Sequence, residues 1–138
     1  MSSRATGPFD LSKSPIHLPS DAAAPAIPLP AFGFDGPAFE AYVAEHCRPG
    51  APGRLAMIET SPTSWAAWEC HEAGDELVIV LEGEGVFFQE IDGATRSAPF
   101  GAGSAFVNPA GVWHTADVHE PMRAIYLTPC PGTKHRPR

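Results

Sequence analysis

The sequence predicts an all-β domain: a barrel or sandwich of short antiparallel strands. Three observations lead there. The chain has 138 residues, the length of one domain with one core. Its 16 prolines and 13 glycines favour many turns over long helices. From about residue 54 onward, runs of five to eight residues rich in β-branched and aromatic side chains are separated by glycine turns.

In chain order, residues 1 to about 30 are rich in Pro, Ala and Ser. They read as an extended, partly disordered arm anchored by Ile16, Leu18, Ile27 and Leu29, with plain disorder up to about residue 25 as the alternative. Asp35-Gly36-Pro37 opens one short helix with Phe39, Tyr42, Val43 and Cys47 at helical spacing, and Arg-Pro-Gly-Ala-Pro-Gly at 48–53 stops it. Strands are expected at 54–60, 65–72, 76–81, 85–91, 94–98, 104–108, 113–117 and 123–128. A Glu-Gly-Glu-Gly turn separates the third and fourth, and Asp92-Gly93 marks a hairpin. The domain spans 31–130, and 131–138 is left as a tail. Leu77 to Leu81 is apolar on both strand faces, so its outer face needs a cover. The arm or a second subunit would supply it, which suggests a homodimer.

The formal charge of −7 leaves no basic footprint, so nucleic acid is not an expected partner. No run approaches the length of a membrane span, and the N-terminus lacks the apolar stretch of a signal peptide. Cys47, Cys70 and Cys130 are odd in number and have no metal or disulfide spacing. A reducing, cytoplasmic location follows as the expectation.

Four side chains carry chemistry: Glu69, His71, Glu76 and His114. Residues two apart on a strand share a face, so Glu69 and His71 converge while Cys70 points away. A register one residue away would turn Cys70 and Glu72 inward, but it uses no histidine at this point of the chain. Glu76 shares its face with Val78 and Val80. Carboxylates beside apolar neighbours repel one another and lose hydration, a cost that a divalent cation removes. Two imidazoles and two carboxylates suit Mn, Fe, Ni or Zn better than Cu(I).

The stretch Glu69-Cys70-His71, four residues, Glu76, six residues, Gly83 resembles the first motif of the cupin superfamily. Gly103, Pro109, Gly111 and His114 resemble the second, with Val118 where that motif has Asn. The resemblance implies a double-stranded β-helix (jelly-roll) barrel of a single-domain cupin. It also implies one divalent metal ion on Glu69, His71, Glu76 and His114, with Glu69 in place of the family's first histidine. Glu69 is in addition a candidate catalytic base. The function implied is binding and turnover of a small organic molecule, such as a hydroxy-acid, diketone or sugar-like compound. Dioxygenase chemistry would go with a redox metal, and isomerase or lyase chemistry with Zn or Ni. A non-catalytic binding or sensor cupin and a metal-free epimerase-like cupin are the alternatives.

The remaining candidates have plainer readings. Trp65, Trp68 and Trp113 are packing residues, Phe87, Phe88, Phe106 and Tyr126 core, and Cys70 an outer-layer thiol. His17, His46, His119 and His135 are surface residues. One of Arg123 and Tyr126 reaches the pocket.

Overall fold

The computed structural model describes residues 4–31, 36–47, 52–130 and 132–138. These residues form strands β1 (Ile16–Pro19) and β2 (Ile27–Pro28), helix α1 (Pro37–His46), then β3 (Gly53–Ser61), β4 (Ala67–His71) and β5 (Glu76–Ile91). Strands β6 (Ala94–Phe100), β7 (Ala105–Asn108), β8 (His114–Cys130) and β9 (Thr133–Pro137) follow. The pairings are antiparallel and run β2-β1-β3-β8-β4-β9, with β5 bonded to β6, β7 and β8. The fold is the all-β jelly-roll barrel that the sequence predicts.

Two pairs of expected strands are in fact single long ones. The Glu-Gly-Glu-Gly stretch does not turn the chain back; it is an irregularity inside β5, where the register against β8 shifts between Val80 and Gly85. Gly83 has φ +101°, and a Cβ there would lie 2.3 Å from the Pro121 carbonyl oxygen. Only glycine lets the two strands pass so closely at this bend. β8 likewise runs unbroken from His114 to Cys130. The residues expected as a C-terminal tail form β9, which pairs along the whole of β4.

Strand alternation sets the core. Leu55 and Met57 on β3, Val78 and Val80 on β5, and Ala124 and Tyr126 on β8 all face inward and are buried. Phe87 closes one end against Phe100 and Phe106, its ring centroid 4.2 Å from that of Phe106. Each of the larger side chains, Leu55, Met57, Val78, Val80 and Phe87, contributes about 1.5–3 kcal/mol on burial.

The helix begins with Pro37 at its first turn and buries Tyr42, with Phe39 and Val43 packed against the core cluster. Of its expected stop at 48–53, residues 48–51 lie outside the described residues, and Gly53 already opens β3. Two expectations for this region are overturned. Cys47 and Cys130 form a disulfide across 83 residues, which removes the cysteine argument for a reducing compartment. His17 is not on the surface but 3% exposed, 2.9 Å from the Tyr42 hydroxyl. Burial, and secondarily His46, lowers its pKa. Because His17 takes the inward position of β1, its neighbour Leu18 is exposed and does not anchor the arm. Ile16, Ile27 and Leu29 are half-buried. No helix of the described residues is long and apolar enough to cross a membrane.

Candidate metal centre

Glu69 and His114 are direct cross-strand partners on β4 and β8. His71 lies two residues along β4 from Glu69, and Glu76 starts β5 after a short loop. That loop is tied down: Ala110 N–H donates to the Asp75 carboxylate at 2.9 Å and Gly111 N–H to the His71 carbonyl at 2.9 Å. Gly111 has φ +79° in the turn that delivers His114.

The four side chains therefore converge. His71 Nε2 is 3.1 Å from Glu76 Oε2, and His114 Nε2 is 3.4 Å from Glu76 Oε1 and 3.9 Å from Glu69 Oε2. Glu69, His71 and His114 offer donor atoms that all lie within 4.8 Å of one another. The His71 register is the observed one, and Glu72 is exposed, paired with Lys134 at 2.7 Å. Cys70 is buried and unoxidised, its thiol pKa raised by burial and then by Glu72.

The surroundings of these groups separate their roles. His71 and His114 are 2% and 0% exposed, yet neither Nε2 has a hydrogen-bond partner among the described residues. Their other ring nitrogens are engaged. His114 Nδ1 donates to the Val112 carbonyl at 3.2 Å, and His71 Nδ1 lies 2.9 Å from the Thr133 hydroxyl. A carbonyl only accepts, so in the neutral ring of His114 the proton sits on Nδ1 and Nε2 presents a lone pair inward. A buried imidazole nitrogen without a partner is costly, and a metal ion is the natural occupant of the space it faces. The donor set and its orphaned atoms fit a divalent cation.

Glu76 is 2% exposed and held from both sides, by Asn108 Nδ2 at 3.1 Å and the Thr128 hydroxyl at 2.6 Å. Burial pushes its carboxyl up, but the His114 and His71 imidazoles outweigh this and hold it below the usual carboxylate range. Glu69 differs, with a side chain 32% exposed.

The centre opens into a cavity of about 580 Å³. Phe39 and Val43 of α1, Leu55 and Met57 of β3, Trp65 and Tyr126 form much of its wall. Of the pair Arg123 and Tyr126, Tyr126 is the one that faces in; burial first raises its phenol pKa. Glu59 lines the cavity too, on the inward parity of Leu55 and Met57. Its side chain is open to the cavity, yet desolvation by the surrounding wall, with Glu69 as a smaller cause, pushes its pKa up to about 6.

Several residues here carry no site signal in the sequence. Asn108 reads only as the end of the strand expected at 104–108, and Thr128, Thr133 and Glu59 have no ligand spacing. His135, expected at the surface without partners, is solvent-accessible but sits with Nε2 3.4 Å from Glu69 Oε1. The signal that finds Thr133 and His135 is the β4–β9 register, His71 opposite Thr133 and Glu69 opposite His135. Trp68 and Trp113 pack within the chain against the Arg136 guanidinium, which is 5.2 and 4.6 Å from their ring centroids and pairs with Glu90.

No curated protein matches the chain in sequence. Among solved structures, a single-substitution variant of Bacillus subtilis oxalate decarboxylase is similar at 15% identity and a TM-score of 0.49, over 60% of this chain and 26% of that one. A Bacillus subtilis oxalate decarboxylase described for its Mn(II) centres is similar at 16% identity and a TM-score of 0.48, over 61% and 23%. The chain thus spans about a quarter of the length of these neighbours. The family model for the cupin domain matches residues 56–128, more than half of the chain and all four convergent side chains, and the chain belongs to the cupin domain family.

Proposed function

We propose that this cupin holds one divalent metal ion on Glu69, His71, Glu76 and His114 and uses it to bind and transform a small organic molecule in the cavity. The observation that carries the reading is the pair of buried imidazole Nε2 atoms that face carboxylates yet make no hydrogen bond. Bound there, the ion would polarise a bidentate hydroxy-acid, diketone or enediol, for dioxygenase chemistry with a redox metal or isomerase and lyase chemistry with Zn or Ni.

The residues divide the remaining work. Glu76, pinned by Asn108 and Thr128, is a fixed donor. Glu69 is looser and more exposed, and 3.9 Å from His114 Nε2 it can accept a substrate proton on a carboxylate oxygen. Trp65 and Tyr126 exclude water beside it, their ring centroids 6.5 Å apart. The protein acts as a homodimer, a reading supported by the apolar outer sheet face that carries Leu77, Ile79, Ile125 and Leu127.

Elemental analysis of untagged protein tests the reading, on wild type, His71→Ala, His114→Ala and Glu69→Gln. Near-stoichiometric Fe, Mn, Ni or Zn is expected in wild type and absent from both alanine variants. Glu69→Gln should keep most of the metal while losing turnover of a carbonyl and sugar panel; heavy metal loss would instead mark Glu69 as a plain ligand. Wild type that takes up no metal even on reloading overturns the metal centre.

A further inference from the structure

The cavity wall discriminates by charge. The described residues that line it include three carboxylates, Glu59, Glu69 and Glu76, and no lysine or arginine. The cations nearest in sequence are held elsewhere. Arg54 donates to the Asp75 carbonyl, Arg136 pairs with Glu90, Arg138 with Asp117 and Lys134 with Glu72. His135 is the lining imidazole closest to solvent, and it lies against Glu69 rather than Glu59.

Glu59 has no structural task that accounts for it. It occupies an inward position between Met57 and Ser61 on β3, where alternation calls for an apolar side chain. Its side chain makes no hydrogen bond or ion pair among the described residues, although Glu69 is close enough to act on it by charge. The wall beside it is apolar, with Phe39, Val43, Leu55, Met57 and Trp65. A bare carboxylate over an apolar wall, a short way from two orphaned buried imidazole nitrogens, is a two-point recognition surface.

We infer that the cavity takes a small apolar molecule bearing one ammonium group, paired with Glu59, and disfavours small dicarboxylates. The inference rests on the metal reading for the ligand's second anchor. With a divalent ion on the centre, three carboxylates still leave one negative charge facing the ligand. An ammonium ion cancels that charge. A dicarboxylate adds to it, and like charges repel. The apolar wall accommodates an aromatic or branched hydrocarbon body.

Calorimetric titration of metal-loaded protein with three probes tests this: 2-amino-1-phenylethanol, whose hydroxyl can reach the metal, its shape-matched anion 3-hydroxy-3-phenylpropanoate, and oxalate. The amine should bind about tenfold or more tighter than either anion, the size of one charge-assisted contact. Glu59→Gln should lose about tenfold in amine affinity with metal content unchanged by elemental analysis. Equal binding of amine and anions, binding of none, or an indifferent Glu59→Gln each overturns the inference. A full metal complement alongside that failure leaves the metal centre standing. Protein that takes up no metal fails the earlier reading instead, and the amine preference is then decided by the same titration on metal-free protein.

Discussion

Glu59 couples one side chain to the pH response of the fold. Its pKa is raised from an ordinary 4.5 to about 6, so the folded state holds this proton more tightly than the unfolded chain does. The associated stability is fully present below the unfolded value and is lost as pH rises through about 6. Glu59→Gln in metal-free protein should therefore be more stable than wild type at pH 8, with the difference gone once the pH is well below 4.5. Because the carboxyl is open to solvent, the gain should stay under about 1 kcal/mol. Urea melts of both proteins across that range check it; a gap that widens on acidification would reverse the assignment. Glu76 is the opposite case, a carboxyl that the fold keeps ionised despite burial. Sequence spacing alone did not separate the two, since Glu59 has no histidine at ligand distance along its strand.

At the scale of elements, β9 decides how well the centre is built. Its residues Thr-Lys-His-Arg-Pro carry no apolar alternation, so no local pattern reveals a strand. It forms because β4 has a free edge and because Arg136 stacks on Trp68 and Trp113. The Glu-x-His spacing on β4 and the loop to Glu76 were legible, because strand parity and short loops are local. The cross-strand partners Thr128 and Thr133 depend on register between distant segments, and the bend at Gly83 on a close approach to Pro121, so neither could be read from neighbours in sequence. Thr133→Val keeps the shape of the side chain but removes the hydroxyl beside His71 Nδ1. It should lower metal affinity by roughly 10–100-fold with the fold intact. Competition against a chelator, with circular dichroism as the control, measures it; unchanged affinity would make Thr133 a bystander.

The whole molecule presents an apolar outer face. Ala56 and Ile58 of β3 lie opposite Leu127 and Ile125 of β8, which in turn face Leu77 and Ile79 of β5, with Val107 of β7 beside Leu77. All are outward by parity; Leu77, Ile79, Ile125 and Leu127 are only half-buried and Val107 is 55% exposed. A second copy would cover this face. Sedimentation should give about twice the 14.6 kDa chain mass, and Ile79→Lys should return it to one. A wild-type monomer would leave the patch without that partner. The Cys47–Cys130 linkage acts at the same scale in another way. Glu69, His71, Glu76 and His114 all fall between the two cysteines, so the proposed ligands ride on one covalently closed circle of backbone. Closing a loop of 83 residues removes about 4.5 kcal/mol of denatured-state freedom. An unfolded but oxidised chain thus keeps its four donors within reach of one another. Rebinding of the ion can then template refolding, and only the arm, α1 and β9 must find the barrel from outside the circle.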